Sequence, residues 1–265
     1  MKSRQPILET KGLHKSFGAV IAANDINVSV PGGQKLGLIG NNGAGKTTFV
    51  NMVTGYTKPD AGRILLDAED VTAFGPRALS RQGVSRSFQI PQLCLNLTLE
   101  DNLLVALGVA RPKRLSFWRP VRSAEIDIEL ETLLEQFRLR DYCGRSISVL
   151  PGGIRKLVDI AMAIVSRPKL LLLDEPTSGV SAEEKFPLMD VVMSALALGE
   201  VTVQFVEHDM DVVFSLADRI SVLVSGRIIA SGTPDEIRTN ADVRYAYLGE
   251  DSEDLVEEAA GHAAR

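Results

Sequence analysis

Short apolar runs that end at a glycine or a charged residue recur along this 265-residue chain. Residues 36–39 and 170–173 contain only leucine, isoleucine and glycine, and residues 201–206 are rich in valine. Such runs predict buried strands, and the four leucines of 170–173 predict a central parallel strand that is covered on both faces. Since parallel strands end at a common edge of a sheet, the polar residues that follow these runs are expected to meet there.

Helical and hairpin patterns separate these strands. Thr47–Thr54 predicts a helix that is closed by Gly55. Ile220–Val224 and Arg227–Ala230 predict a hairpin about Ser225-Gly226. A further helix is predicted after His208, with apolar residues at helical spacing: Val212, Val213, Leu216 and Ala217. The chain is therefore expected to belong to the α/β class.

Composition limits the class of protein. The length suits one large domain or a core with a subdomain, and 45% hydrophobic residues are enough to bury a core. No apolar run approaches the roughly 18 residues of a membrane span, and no secretory signal is visible after Met1–Pro6, so a cytoplasmic protein is expected. Cys94 and Cys143 lack C-x-x-C spacing. They argue against a disulfide framework or a zinc site and predict free, partly buried thiols.

The charge distribution offers one candidate surface for polyanions. A formal net charge of −5 gives no overall attraction to nucleic acid, so such binding needs a local patch. Between Arg111 and Arg122, five cations surround Phe117 and Trp118. Interleaved basic and aromatic residues suit nucleic acid or a lipid headgroup surface. The alternative is a solvated connection between helices, which we favour because arginine and lysine are usually exposed.

The strongest chemical signal is a loop after the first apolar run that fits the pattern G-x-x-x-x-G-K-[ST]. Its residues are Gly40, Asn41, Asn42, Gly43, Ala44, Gly45, Lys46, Thr47 and Thr48. A strand before this pattern and a helix after it are the context in which backbone N–H groups bind nucleotide phosphates. Lys46 is expected to contact the β and γ phosphates, and the Thr47 hydroxyl to ligate magnesium. The alternative, a chance glycine-rich turn, is disfavoured by the correct flanks.

A second nucleotide signal is the acid pair that follows the leucine run. Asp174 is placed to hold magnesium through its water shell, and Glu175 to orient or deprotonate an attacking water. An isolated Asp-Glu pair is usually structural, but the loop at Lys46 favours the functional interpretation, because phosphoryl transfer needs both a metal and a positioned water. His208 follows the third run, and its place at a strand end favours contact with a γ-phosphate over a surface or capping role.

In this order, the motifs resemble the ATP-binding subunit of an ATP-binding cassette (ABC) transporter across nearly the whole chain. The resemblance implies that Gly40–Thr48 is the Walker A loop and Leu170–Asp174 the Walker B strand. Glu175 is then the catalytic carboxylate and His208 the switch histidine. Gln89 lies where the family has its Q-loop glutamine, which senses magnesium and the attacking water and abuts the membrane subunits. The implied cofactors are ATP and Mg²⁺.

Phe17 occupies the position at which the family places an aromatic ring against adenine. Stacking on a π face explains why an aromatic side chain belongs there. Taken alone, Phe17 is more typical of a core residue in the N-terminal strands. The absence of an Asn-Lys-x-Asp guanine-reading element is consistent with ATP rather than GTP.

Leu150–Ile154 occupies the position of the family's signature, which is usually Leu-Ser-Gly-Gly-Gln. Gly152 and Gly153 are retained at a helix start, so the resemblance implies that their N–H groups meet a γ-phosphate on a partner's nucleotide. Pro151 removes a hydroxyl and one N–H donor, and Ile154 removes a polar side chain. Ser181 stands where the family's D-loop normally has aspartate. These departures concern contacts across a dimer.

Within the family, the chain is most similar to the ATPases of branched-chain or hydrophobic amino-acid importers. Residues 86–91, 207–213, 230–234 and 246–249 carry this similarity. It implies a peripheral location at the cytoplasmic face of the inner membrane, with permease subunits and a second cassette as partners. This chain would make no direct contact with the transported solute.

Other functions remain open at this point. ATPases for urea, short amides and other small solutes are close relatives, and a lipopolysaccharide-exporting ATPase is similar too. A soluble ABC protein that acts on nucleic acid is disfavoured, because such proteins usually carry two cassettes or a long coiled-coil insertion. A P-loop kinase would need neither a signature segment nor His208.

The expected architecture is a P-loop NTPase ABC cassette over residues 1–250. A RecA-like α/β core covers about 1–88 and 165–240 and includes an antiparallel β subdomain with Ile26–Val30 and Ile64–Leu66. A helical subdomain covers about 89–164. Residues 251–265 are expected to form an acidic, alanine-rich C-terminal tail.

Overall fold

The computed structural model describes residues 5–111, 122–197 and 201–248. The strands are β1 (Pro6–Phe17), β2 (Val20–Pro31), β3 (Lys35–Ile39), β4 (Ala61–Leu66), β5 (Glu69–Asp70), β6 (Val84–Ser87), β7 (Leu170–Asp174), β8 (Thr202–Val206), β9 (Arg219–Val224) and β10 (Arg227–Gly232). The helices are α1 (Lys46–Val53), α2 (Pro76–Arg81), α3 (Leu99–Ala110), α4 (Ala124–Gln136), α5 (Gly152–Ile164), α6 (Ala182–Ala197), α7 (Met210–Leu216), α8 (Pro234–Thr239) and α9 (Ala241–Leu248). Short 3₁₀ turns cover Arg140–Tyr142 and Ile147–Val149.

A six-stranded sheet has the order β10-β9-β3-β8-β7-β6. Its strands are parallel from β9 to β6, and β10 is antiparallel to β9. At the carboxyl edge Leu38 and Asp174 both lie opposite Val206. The three predicted strands are therefore present, adjacent and aligned at one edge. Their bounds differ from the predicted ones by a single residue at one end.

The leucine run of β7 fills two cores at once. Leu170 and Leu172 join the cluster that contains Phe49 of α1, whereas Leu171 and Leu173 join the cluster formed with the helices on the other face. Successive side chains of a strand point to opposite faces, so an uninterrupted apolar run is what a strand between two layers requires. Each fully buried leucine stabilises the fold by about 1.5–3 kcal/mol.

A four-stranded antiparallel sheet has the order β2-β1-β4-β5. β1 lies between the two strands that the sequence predicted: Leu13 pairs with Ile26 of β2, and Thr10 pairs with Ile64 of β4. The buried face of this sheet shares a hydrophobic cluster with α1. The prediction of an antiparallel β portion beside the α/β core is confirmed.

The predicted hairpin and the helix after His208 are both present. Ser225 and Gly226 have φ values of 47° and 77°, the left-handed pair that a two-residue type I′ turn between β9 and β10 requires. The helix, α7, begins after Asp209, whose side chain accepts a hydrogen bond from the N–H of Val212.

Helices α3, α4 and α5 lie in the chain between β6 and β7. Thr98 caps α3 and Ser123 caps α4, each by accepting a backbone N–H in the first turn. Leu103, Leu130 and Val158, one from each helix, are buried in a common cluster with β7 and β8. The expected helical portion is therefore present, while the exact division at 89–164 stays a prediction.

Both cysteines are free, but their exposure differs. Cys143 is half-buried, as predicted, whereas Cys94 is exposed, so the expectation of a partly buried thiol is wrong there. Cys94 lies in the loop between β6 and α3, where its backbone rather than its thiol is anchored, through two hydrogen bonds with Asn102. No helix within the described ranges has the length and hydropathy of a membrane-spanning segment.

Candidate nucleotide site

The loop from Gly40 to Gly45 packs closely between strands β9 and β2. A Cβ atom on Gly40 would lie 2.2 Å from the carbonyl oxygen of Leu223 in β9, and one on Gly45 would lie 2.2 Å from that of Ala22 in β2. Gly45 also has a φ of 106°, which L side chains rarely adopt. Glycine is therefore required at both positions to connect β3 to α1 in this space.

Lys46 begins α1 and is buried within the loop. Its Nζ donates to the carbonyl oxygens of Gly40 and Asn41, the latter at 3.1 Å. Burial lowers the pKa of the Lys46 ammonium, and the nearby carboxylates of Glu175 and Asp174 oppose that effect. The cation of the loop thus lies in the field of the acid pair that the sequence singled out.

Glu175 lies at the turn after β7, with a φ of 47°. Its N–H donates to the carbonyl oxygen of Val206 at 2.9 Å, which fixes the turn to the end of β8. Gln89 Nε2 donates to Glu175 Oε2 at 2.6 Å, and His208 Nε2 lies 2.9 Å from Glu175 Oε1. Three predicted catalytic side chains, which follow β6, β7 and β8, therefore meet at one carboxylate.

Glu207 supports this cluster and was not assigned a role from the sequence. Its buried carboxylate accepts the N–H and the hydroxyl of Thr177, both at 2.8 Å, and the N–H of His208 at 3.2 Å. Burial raises the pKa of Glu207, while these hydrogen bonds act in the opposite direction. The residue ties the segment after Glu175 to the backbone of His208. Its position directly after a predicted strand was the available signal.

Asp174 is paired with an arginine that the sequence did not single out. Arg86 Nη2 donates to Asp174 Oδ2 at 2.6 Å, and Arg86 Nη1 donates to Asn51 Oδ1 at 2.7 Å. The guanidinium also lies 5.1 Å from the ring centroid of Phe88 and 5.8 Å from that of Tyr56. Both charges are largely buried. Arg86 therefore links β7, α1 and the residue before Gln89.

Two further ions, which the sequence also did not single out, hold the segment around Gln89. Lys156 of α5 donates to the carbonyl oxygens of Phe88 and Gln89, and Asp159 of the same helix accepts from that segment. Their spacing of three residues on one helix face was the only signal in the sequence.

The signature segment forms the start of α5. Pro151 is the N-cap residue, with no side-chain cap, and Gly152 and Gly153 are the first helical residues. Their N–H groups belong to the first turn, where no helical acceptor exists. The nearest atoms to a Cβ built on Gly152 or Gly153 belong to Gly179 and Leu188 respectively, and none within 4 Å belongs to the chain's own phosphate loop.

Phe17 ends β1 and is about half exposed, with Lys15 Nζ 5.4 Å from its ring centroid. Interpretation as a core residue is therefore wrong, because Phe17 pairs with Val20 at an exposed β1–β2 turn. The same hairpin reaches the phosphate loop, since Ala22 of β2 contacts Gly45. An exposed ring on the hairpin that reaches this loop is consistent with a base-stacking role.

The basic patch lies mostly outside the described residues, which omit 112–121. Its two described ends are paired with acids: Arg111 with Glu129, and Arg122 with Glu100 and Asp127. The predicted tail at 251–265 also lies outside the described residues.

Comparison with known proteins identifies the family. The family model described as ABC transporter matches residues 23–178, which include the phosphate loop, the signature and the acid pair. This chain belongs to the ABC transporter ATP-binding family. As a member, it is an ABC ATPase, which binds ATP and couples its hydrolysis to transport. A second model, described as branched-chain amino acid ATP-binding cassette transporter, matches residues 227–253.

Full-length relatives agree with this assignment. The ABC ATPase is 38% identical over 255 residues to BraF of Pseudomonas aeruginosa, a "high-affinity branched-chain amino acid transport ATP-binding protein", with 93% of this chain and 99% of that protein covered. It is 37% identical over 254 residues to LivG of Escherichia coli K12, with the same two shares. Among solved structures, the ADP conformation of the cassette MJ1267 matches with a TM-score of 0.81 at 31% identity, over 93% of this chain and 100% of that one.

The C-terminal match has a structural counterpart in this ABC ATPase. Residues 227–253 include α9, and the carbonyl oxygen of Ala246 accepts a hydrogen bond from Asn41 Nδ2 at 3.2 Å. The family-specific end of the chain therefore touches the phosphate loop directly.

Proposed function

We propose that this chain is the ATP-hydrolysing subunit that energises an ABC importer for branched-chain or other small amino acids. The observation that carries the hydrolytic part is the shared contact of Gln89 and His208 with the Glu175 carboxylate. A general base needs a fixed orientation, and hydrogen bonds to both carboxylate oxygens provide it.

The nucleotide is bound by residues of the loop and of the neighbouring hairpin. N–H groups from Gly40 to Thr48 surround the phosphates, with the start of α1 adding its partial positive charge. Lys46 exchanges its two loop carbonyls for phosphate oxygens, an exchange favoured by the greater charge of the phosphates. Phe17 offers an exposed ring to adenine.

Glu175 orients the attacking water and accepts its proton, while Gln89 and His208 hold the carboxylate in place. Gly152 and Gly153 offer their first-turn N–H groups to the γ-phosphate on a second cassette. The chain's own nucleotide is thereby closed by the signature of its partner.

Mg²⁺ fits the oxygen groups at this site. The Thr47 hydroxyl, the Asp174 carboxylate and the amide oxygen of Gln89 are the hard ligands that magnesium prefers. When bound, the ion neutralises charge on the phosphate oxygens during transfer. Within the described ranges no group of three or more His, Cys, Asp or Glu side chains is placed to hold a metal. Thr47, Asp174 and Gln89 would therefore hold the ion together with non-protein ligands, as is common for magnesium.

The partners follow from the same assignment. The chain is a peripheral protein at the cytoplasmic face of the inner membrane, where it binds permease subunits and a second cassette but not the solute. The exposed side chains of Ile90 and Leu95, in the loop after Gln89, offer an apolar surface for a permease segment. The division into a core at about 1–88 and 165–240 and a helical subdomain at about 89–164 belongs to this proposal.

The solute assignment is supported by the names of BraF and LivG and by the match at residues 227–253. Urea, amides and lipid export remain the alternatives. Uptake of labelled leucine and of labelled urea by cells that lack this chain distinguishes them. Loss of leucine uptake alone supports the proposal, and intact leucine uptake contradicts it.

Glu175→Gln tests the hydrolytic role. The amide keeps the shape of the side chain but cannot accept a proton, so kcat is expected to fall by about 10²–10⁴-fold while ATP affinity is retained. Steady-state hydrolysis and equilibrium ATP binding measure the two quantities. A variant with near-normal turnover would remove Glu175 from the role of general base.

A further inference from the structure

The segment that carries Gln89 is held by side chains of α5 rather than by a sheet. We call residues 87–92 the Gln89 segment; it begins at Ser87, the last residue of β6, and residues 88–92 lie beyond the strand. Lys156 Nζ donates to the carbonyl oxygen of Phe88 at 3.0 Å and to that of Gln89 at 2.6 Å. One ammonium therefore binds the two peptide groups at the centre of the segment.

Asp159, three residues further along α5, binds the same segment from its N–H side. Its Oδ2 accepts the Ser87 hydroxyl at 2.8 Å and the N–H of Phe88 at 3.1 Å, and its Oδ1 accepts the N–H of Gln92 at 3.2 Å. The carboxylate thus spans the segment from one end to the other. Lys156 and Asp159 together provide hydrogen-bond partners for backbone groups of residues 88, 89 and 92, which lie outside the strands.

Both ions are costly to bury. Lys156 is 2% exposed and Asp159 is 7% exposed. Burial lowers the pKa of Lys156 and raises the pKa of Asp159, although each charge partly stabilises the other. Apolar residues of similar volume would avoid the desolvation cost of two buried charges. The side-chain hydrogen bonds of both ions go to the Gln89 segment. We therefore infer that the two side chains position this segment.

The position of the two ions on α5 connects the start of this helix to Glu175. Gly152 and Gly153 start this helix, and Lys156 lies one turn later. At the other end of the contact, Gln89 donates to the Glu175 carboxylate. A continuous chain of contacts therefore runs from the start of α5, through Lys156 and the backbone of residue 89, to Glu175. A helix transmits a displacement of its first turn as a rigid body over this short distance.

We propose that Lys156 and Asp159 are positioning residues that set the Gln89–Glu175 hydrogen bond and make it depend on where the start of α5 lies. The proposal rests on the proposed function in assigning hydrolysis to Glu175. Contact of Gly152 and Gly153 with a partner's nucleotide then adjusts Gln89 in the chain's own site. Neither residue touches the reacting atoms, so both act through Gln89.

Hydrogen–deuterium exchange tests the contact without any measurement of activity. In the full-length chain, Lys156→Met and Ser87→Ala are expected to speed exchange of the peptide that covers residues 86–93. Lys169→Met, which removes an exposed cation paired with Asp67 at the other end of β7, is the matched control and leaves that peptide unchanged. Unchanged exchange in Lys156→Met would overturn the proposal.

Kinetics test the consequence. Lys156→Met is expected to lower kcat by about 10- to 100-fold, the effect of a misplaced catalytic group, with KM for ATP and ATP affinity unchanged because Lys46 and its loop are intact. Gln89→Ala completes a double-mutant cycle. If Lys156 acts through Gln89, Lys156→Met costs little further in the Gln89→Ala background. Full additivity, or a loss of ATP affinity equal to that of kcat, contradicts the proposal.

One result separates this proposal from the proposed function, and a second variant covers the case in which Lys156→Met does not fold. If the wild-type chain binds ATP but never hydrolyses it, even with its partners, the proposed function is contradicted. The exchange experiment still decides whether α5 holds the Gln89 segment. If Lys156→Met is isolated unfolded, Ser87→Ala decides the question, because it removes one hydrogen bond to Asp159 and leaves both ions in place. It should then give faster exchange together with a smaller, Gln89-dependent fall in kcat.

Discussion

Glu175 combines a strained backbone with a fully oriented side chain. A φ of 47° for a residue other than glycine costs on the order of 1–3 kcal/mol and persists only where the surroundings enforce it. Here the enforcing contacts are the N–H bond to Val206 and the hydrogen bonds with Gln89 and His208. The sequence predicted each of these side chains separately. Their meeting at one carboxylate depends on the order of β6, β7 and β8 in the sheet.

Arg86→Met is the sharpest test of a residue that the sequence did not reveal. The substitution leaves the buried carboxylate of Asp174 without its counter-ion, so the free energy of unfolding is expected to fall by about 3–5 kcal/mol. Urea denaturation measures the change. The control is Arg63→Met, which removes a surface pair with Asp70 and should cost about 0–1 kcal/mol. Equal losses would contradict a buried ion pair at Arg86.

A double variant separates charge from packing at this position. Arg86→Met combined with Asp174→Asn removes both charges, so it should be less destabilised than Arg86→Met alone. A double variant as unstable as the sum of the two single variants would mean that the aromatic contacts of Arg86 dominate.

At the scale of elements, close contact with neighbouring strands explains why the phosphate loop needs glycine at particular positions. Gly45→Ala would place a methyl group 2.2 Å from the carbonyl oxygen of Ala22, whereas Gly43→Ala meets no atom within 4 Å. Both positions have a positive φ, so both variants carry backbone strain. Gly45→Ala is therefore expected to be the less stable variant by several kcal/mol, as an overpacked backbone site would be. Thermal unfolding compares the two, and equal stability would contradict the close packing of the loop.

Helix α7 carries a charged cap that predicts a pH dependence. The hydrogen bond from Lys185, at 2.7 Å, lowers the pKa of Asp209 below its ordinary value of 3.8. An acid with a lowered pKa in the folded state adds stability above its ordinary pKa and loses it as pH falls through the folded pKa. Asp209→Asn keeps a capping side chain but removes this charge. It should be less stable than the wild type at pH 7, and the difference should shrink below about pH 4.

Thermal unfolding between neutral and acidic pH measures that difference. The control is Asp190→Asn on the exposed side of α6, which should differ little from the wild type at any pH. A gap between Asp209→Asn and the wild type that stays constant with pH would contradict the assignment to Lys185.

At the scale of the whole molecule, the departures at Pro151, Ile154 and Ser181 bear on the partner. In the proposed function these positions belong to contacts with another cassette, whereas Lys46 and Glu175 act on the chain's own nucleotide. If the partner is a different cassette with a standard signature, the site that contains Glu175 is complete. The partner's own site then receives the altered signature of this chain and is expected to hydrolyse ATP more slowly. Glu175→Gln is then expected to stop most turnover of the assembled pair, and the matching substitution in the partner much less. Equal effects on steady-state ATP hydrolysis would count against this asymmetry.

The sequence predicted much of the fold because its strongest signals are local. The leucine run of β7, the turn at Ser225-Gly226 and the spacing after His208 each specify an element through neighbouring residues. β1 was harder to recognise, since its identity depends on pairing with β2 and β4 on both sides. Exposure was also decided non-locally, as Phe17 and Cys94 demonstrate: both are apolar or weakly polar residues that have few neighbours in the folded chain.

By itself, the sequence determined the phosphate loop, the acid pair at the end of β7 and the class of the fold, because these depend on residue types at short, fixed spacings. Only the tertiary structure decided that Arg86 pairs with Asp174, that Glu207 binds Thr177, and that Lys156 and Asp159 hold the Gln89 segment. These contacts join residues 30 to 88 positions apart, and a buried charge finds its partner only once the strands and helices have packed. Burial makes such pairing necessary, and the topology of the sheet selects the partner.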